Sequence, residues 1–72
     1  MGIEVFVYSI REVDSIGQVL SDRQVTGQSC QGVLRDLKSV TQGTERIEVY
    51  NGEGEKAGAI GVDYWRQRLR RK

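Results

Sequence analysis

The side chains best suited to chemistry in this 72-residue chain stand at its end. Tyr64 and Trp65 run directly into Arg66, Arg68, Arg70, Arg71 and Lys72, broken only by Gln67 and Leu69. A guanidinium group pairs with phosphate or carboxylate through two parallel hydrogen bonds, and a neighbouring aromatic ring stacks on a base or fills a protein pocket. On a continued strand Tyr64, Arg66, Arg68 and Arg70 share one face, and Trp65 and Leu69 share the other. Trp65 and Leu69 also stand at i, i+4 on a helix. Three readings compete for this segment. In one, Arg66, Arg68, Arg70, Arg71 and Lys72 contact a nucleic-acid backbone, with salt-sensitive and largely sequence-independent affinity. In another, Trp65, Tyr64 and Leu69 anchor a protein partner or a second copy, and the cations meet an acidic surface. In the third, the segment is a frayed terminus whose charge keeps the chain soluble. Trp65 also suits the closing of a core at the end of the last strand.

The remaining candidates for chemistry lack partners. Cys30 is the only cysteine and there is no histidine, so neither an activated thiol, nor a zinc site, nor an intrachain disulfide is expected. Its place on an apolar helical stripe marks it as a buried structural cysteine. The carboxylate pairs Glu45/Glu48 and Glu53/Glu55 fall on a strand and in a turn, where no pocket separates their pKa values for acid–base work. The glycine-rich NGEGEKAGAIG stretch lacks the Gly-Lys-Ser/Thr of a phosphate loop, joins two strands rather than opening a helix, and carries Glu53 and Glu55, which repel phosphate. The expectation is a non-enzyme with no cofactor, no metal and no small-molecule substrate.

Charge is distributed unevenly along the chain. Residues 1–65 hold six basic and ten acidic side chains, a net of −4, whereas residues 66–72 hold five basic ones, a net of +5. This predicts a single domain over 1–65 with a basic tail over 66–72. A chain this short buries a modest fraction of its surface and is marginal unless it packs well or associates. A lone cysteine suits a reducing compartment. No apolar run is long enough to span a bilayer. MGIEVFVYSI lacks the basic start of a signal peptide, and Phe6 stands where the myristoylation motif wants Ser or Thr. A soluble cytoplasmic protein without a membrane partner is the expectation.

The elements that must position these residues follow from periodicity. Ile3 to Ile10 is β-branched and aromatic and predicts a strand, with Ile3, Val5 and Val7 on one face and Phe6, Tyr8 and Ile10 on the other. Asp14 to Gly17 reads as a turn. Gln18 to Thr26 reads as a second strand or as a short helix capped by Asp14. Gln28 to Gln42 predicts a helix with an apolar stripe of Cys30, Val33, Leu34, Leu37 and Val40, an N-cap at Ser29 and Gly43 just past its end. Thr44 to Tyr50 alternates, with Ile47 and Val49 inward and Arg46, Glu48 and Tyr50 outward. Asn51-Gly52 predicts a type I′ turn, with a loop extending as far as Glu55. A return strand is expected from Lys56 to Trp65, its small residues suited to close approach of a neighbour. No internal repeat or low-complexity segment is visible.

The order strand, strand, helix, strand, strand predicts an α+β fold. It is a two-layer sandwich whose four-stranded, mostly antiparallel sheet (ββαββ) carries one helix on one face, with a β-grasp arrangement as a variant. The other face would present residues such as Phe6, Tyr8, Tyr50 and Tyr64 to solvent or to a partner, so a homo-oligomer is expected. This order of elements resembles that of several small phage-encoded proteins, among them anti-CRISPR inhibitors built from a curved sheet and one helix, and of cassette proteins of mobile elements. The resemblance implies an inhibitor of a host system and transfers no functional residue. The residues themselves point to a small non-catalytic interaction module. It docks or self-associates through the sheet face and last strand, with Tyr8, Tyr50, Tyr64, Trp65 and Leu69 at the interface and the basic tail on an acidic surface. The alternative is a nucleic-acid-binding protein that uses the Arg-rich end.

Overall fold

Two hairpins built on the same turn organise the molecule, whose structure, a computed structural model, describes residues 4–70. In the first, the Asp14 carboxylate accepts hydrogen bonds from the backbone N–H groups of Ile16 (3.0 Å) and Gln18 (2.8 Å). In the second, the Asn51 side-chain oxygen accepts from the N–H groups of Glu53 and Glu55, both at 2.9 Å. Gly17 (φ 90°) and Gly54 (φ 83°) supply the left-handed residue that closes each loop. This is a type I turn followed by a left-handed residue, a loop that matches the twist of the flanking strands. The type I′ turn expected at Asn51-Gly52 does not form, because neither residue takes positive φ. Gly54 provides that geometry three residues later.

The hairpins are β1 (Phe6–Val13) with β2 (Val19–Gly27), and β3 (Arg46–Tyr50) with β4 (Lys56–Gly61). The segment that suited either strand or helix is therefore a strand. β1 and β3 pair at the centre, giving the sheet order β2-β1-β3-β4 with every pairing antiparallel. Ile10, Ile47 and Val49 project from the two central strands to one face and form the core with Val33, Leu34, Leu37, Val62 and Trp65.

Two helices, not one, cover that face. α1 (Cys30–Asp36) starts at Ser29, whose hydroxyl accepts from the Gly32 N–H at 3.0 Å. It stops well short of Gln42, and Leu37 is already extended. The N–H of Thr41, which a continuing helix would donate to Leu37, instead donates to the Glu12 carboxylate at 2.7 Å. The N–H of Glu45 then donates to the Val13 carbonyl at 2.8 Å, so the connection is stitched to β1.

The return strand expected to reach Trp65 ends at Gly61 and turns into α2 (Val62–Arg70). β3 pairs with β4 only as far as Arg46↔Gly61, and Val62 N–H makes one last bond to the Glu45 carbonyl at 2.9 Å. Past that point a strand has no ladder partner, whereas Val62, Trp65 and Leu69 at i, i+3, i+7 make a stripe that a helix lays onto the core. The chain is thus β1-β2-α1 followed by β3-β4-α2, one topology used twice although the sequence shows no repeat. The expected boundary between residues 65 and 66 falls inside α2, and Arg71 and Lys72 lie outside the described residues.

Candidate binding surface

The uncovered sheet face is charged and internally paired. The Arg11 guanidinium from β1 lies 3.2 Å from the Asp22 carboxylate on β2 and 4.5 Å from the Tyr50 ring centroid on β3. The Tyr50 hydroxyl donates to Glu48 at 2.8 Å. Arg46 (2.9 Å) and Lys56 (3.5 Å) complete the ring of donors around Glu48. Glu48 is only 6 % exposed although no helix covers it, because these neighbours roof it over. The Tyr50 hydrogen bond holds its carboxyl below the ordinary carboxylate value, with Lys56 and Arg46 adding to that effect against the cost of burial. On the core side, Glu12 is fully buried, with the Arg23 guanidinium 3.4 Å from its second oxygen.

The sheet therefore does not present the aromatic face expected from the sequence. Tyr50 is half-buried in the Glu48 network, and Tyr8 points to the helical side and packs against the core. Phe6 and Val7 at the start of β1 are exposed.

The helical layer is different. Among the described residues no carboxylate lies within ion-pair distance of Arg35 on α1, Lys38 just after it, or Arg66 and Arg68 on α2. The helix separates side chains that a strand would have aligned. Arg66 borders a shallow groove with Lys38, Ser39 and Val40. Arg68 borders another with Leu34 and Arg35, and with Tyr64 it lines the groove between α1 and β4. Tyr64 is 59 % exposed and stands one helical turn before Arg68. Arg70 is the last residue of α2.

Trp65, expected at a partner interface, is 4 % exposed and belongs to the core; Leu69 is half-buried against it. The Trp65 ring is thus taken up by the core, while Leu69 keeps part of its surface in the grooves beside Arg66 and Arg68. Arg35 and Lys38 are not among the contacts expected from the sequence, since both lie off the apolar stripe predicted for Gln28 to Gln42. A signal did exist: no acidic residue stands three or four positions from Arg35, so its own helix gives it no ion pair.

Cys30 is half-buried, and burial raises its thiol pKa, which disfavours the nucleophilic thiolate. A Cβ on Gly58 would stand 2.7 Å from its sulfur, so the glycine in β4 admits the Cys30 side chain. Among the described residues no group of three His, Cys, Asp or Glu side chains is placed to hold a metal ion, and no helix is long and apolar enough to cross a membrane. No family model, curated protein or solved structure matches the chain, so any functional reading rests on its own residues.

Proposed function

We propose that this protein is a small non-catalytic binding module whose helical layer engages a nucleic-acid backbone. The observation that carries this reading is the contrast in pairing. Arg11, Arg23, Arg46 and Lys56 on the strands each have a carboxylate within 3.5 Å, and among the described residues Arg35, Lys38, Arg66 and Arg68 on the helical layer have none. Asp36 and Asp63 stand on the same layer and offset part of this charge, leaving an excess of cations that a polyanion can meet while releasing its own condensed counterions. Exposed Tyr64 beside Arg68 adds a ring on which an unstacked base can rest. Arg70, Arg71 and Lys72 extend the basic run in the same direction along the chain. Docking through Trp65 finds less support, because its ring is spent on the core.

The test is fluorescence anisotropy with random-sequence DNA and RNA across a salt series. The expected log–log slope is about −3 to −4, as a few neutralised phosphates give, and Arg66→Gln/Arg68→Gln should make it shallower by about 2. Absence of binding at low salt overturns the reading, as does a double variant that binds like the parent. An acidic protein partner would instead give a shallow salt dependence with no affinity for the nucleic-acid probes.

A further inference from the structure

We propose that the cavity between β2 and the end of α1 binds a free α-amino acid with an apolar side chain. α1 ends at Asp36 and Leu37 is already extended. A cavity of about 230 Å³ opens there, between residues 36–39 and the core side of β2. Pockets for drug-sized ligands run to roughly 300–1,000 Å³, so this one suits a smaller metabolite.

The floor of the cavity is apolar. Ile10, Val33 and Leu37 are buried core residues, and half-buried Val25 stands beside them. The rim is charged: Arg23 comes from β2, Asp36 is the last residue of α1, and Lys38 follows two positions later. Arg23 and Val25 are two apart on β2 and share the face that packs on the core, and Arg23 stands opposite Ile10 in the ladder. Glu12 gives part of the reason for a cation on that face. Its Oε2 is buried with no hydrogen-bond partner among the described residues, and the Arg23 guanidinium stands 3.4 Å away. At that separation charge holds the pair without a good hydrogen bond, so the guanidinium keeps its donors for a ligand carboxylate.

The balance of charge selects the class of ligand. Two cations, Arg23 and Lys38, are matched by two carboxylates, Asp36 on the rim and Glu12 behind Arg23. A simple anion or cation meets as much repulsion as attraction there, whereas a zwitterion meets a partner at each end. Glu12 is fully buried, which leaves Asp36 as the carboxylate that a ligand ammonium can reach. Among the described residues Asp36 and Lys38 form no ion pair, with each other or with any other group, so neither is engaged by the fold. The ligand carboxylate then lies on Arg23 and Lys38, its ammonium on Asp36, and its side chain on the apolar floor, where burial supplies affinity.

Isothermal titration calorimetry with L-leucine tests the proposal, with isocaproate and isoamylamine as probes that lack its ammonium and its carboxylate. L-Leucine should bind with a Kd below about 1 mM, and each probe about tenfold or more weakly. Amide NMR signals of Val25, Asp36, Leu37 and Lys38 should shift on titration, and those of β4 should not. Asp36 has no ion pair to lose, so Asp36→Asn should keep the circular dichroism of the parent and bring leucine down to the affinity of isocaproate. Arg23→Lys keeps a charge beside Glu12 but loses the two-pronged contact with a carboxylate, and should weaken leucine by about tenfold. Absence of leucine binding at about 10 mM overturns the proposal. So does isocaproate binding the parent as tightly as leucine, or an Asp36→Asn variant with the parent affinity. NMR shifts confined to another face overturn the placement. The inference does not rest on nucleic-acid binding, and an Arg66→Gln/Arg68→Gln protein should bind leucine like the parent.

Discussion

Two residues before the turn that closes each hairpin, the two ββα units differ sharply. The first has Glu12 there, fully buried; the second has Val49, equally buried and apolar. Glu12 accepts from the Thr41 N–H and faces Arg23, so the first unit uses a buried charge to fasten the connection that leads to the second. The second unit has no such device. Its polar interactions lie on the open face around Glu48, and its helix carries arginines without ion-pair partners among the described residues. The same topology thus carries different side chains: the first unit fastens the connection through Glu12, and in the second, among the described residues, Arg66 and Arg68 on the helix have no ion-pair partner. A buried carboxylate costs desolvation that only well-placed donors offset, so it belongs where the chain must be pinned rather than where a partner must bind.

Breaking that contrast should cost most at Glu12. Glu12→Ala removes the acceptor for Thr41 N–H and opens a cavity, and should lower unfolding free energy by about 3 kcal/mol in urea titrations. A loss below about 1 kcal/mol would mean that the connection is held by something else. The strand ends offer the next comparison. An added Cβ on Gly27, at the end of β2, would stand 2.6 Å from the Val33 side chain, whereas one on Gly61, at the end of β4, would meet nothing within 4 Å. Gly27→Ala should cost about 2 kcal/mol by overpacking, and Gly61→Ala should be close to neutral in the same assay.

Glu48 sharpens the comparison through pH. Its carboxyl titrates lower in the folded chain than the ordinary value of 4.5, chiefly through the Tyr50 hydroxyl. Its contribution is therefore fully present above that value and is lost as pH falls through it toward the lowered folded value. Glu48→Gln should reduce stability by about 1 kcal/mol at neutral pH and should flatten the acid limb of the stability profile. The smallest stability effect is expected on the helical layer. Arg66→Gln and Arg68→Gln should each change unfolding free energy by less than about 0.5 kcal/mol, because among the described residues neither has an ion pair to lose. Their effect should appear in salt-dependent binding instead. A large stability loss at Arg66 would show that its charge serves the fold.

Much of the sheet was legible from local pattern. Alternation placed Ile47 and Val49 inward and Arg46, Glu48 and Tyr50 outward, and the structure keeps that division. Turn chemistry marked Asp14 to Gly17 and the loop from Asn51 to Glu55, and Ser29 caps α1 as expected. The candidate surface was half legible. Arg66 and Arg68 stood out by composition, but Arg35 and Lys38 did not, because their lack of partners depends on what the fold brings near them. The contacts of Tyr50 were not legible for a similar reason: its ring and hydroxyl meet Arg11 and Glu48, which the fold brings beside it.

By itself, then, the sequence determined what periodicity and turn residues encode within a few positions. It set the hairpin around Asn51 to Glu55, the inward face of β3 and the sign of the charge at the chain's end, and it left Gln18 to Thr26 open between strand and helix. Only the tertiary structure decided whether Val62 to Arg70 is strand or helix, where α1 stops, and that Glu12 lies inside. Trp65 and Leu69 are four residues apart, a spacing that keeps two side chains on one face of either element. The choice fell to α2 because β3 offers no ladder partner beyond Gly61 while the core offers an apolar surface to cover. A residue's spacing is local, but the partner that satisfies its backbone or its charge is supplied by chain far away in sequence.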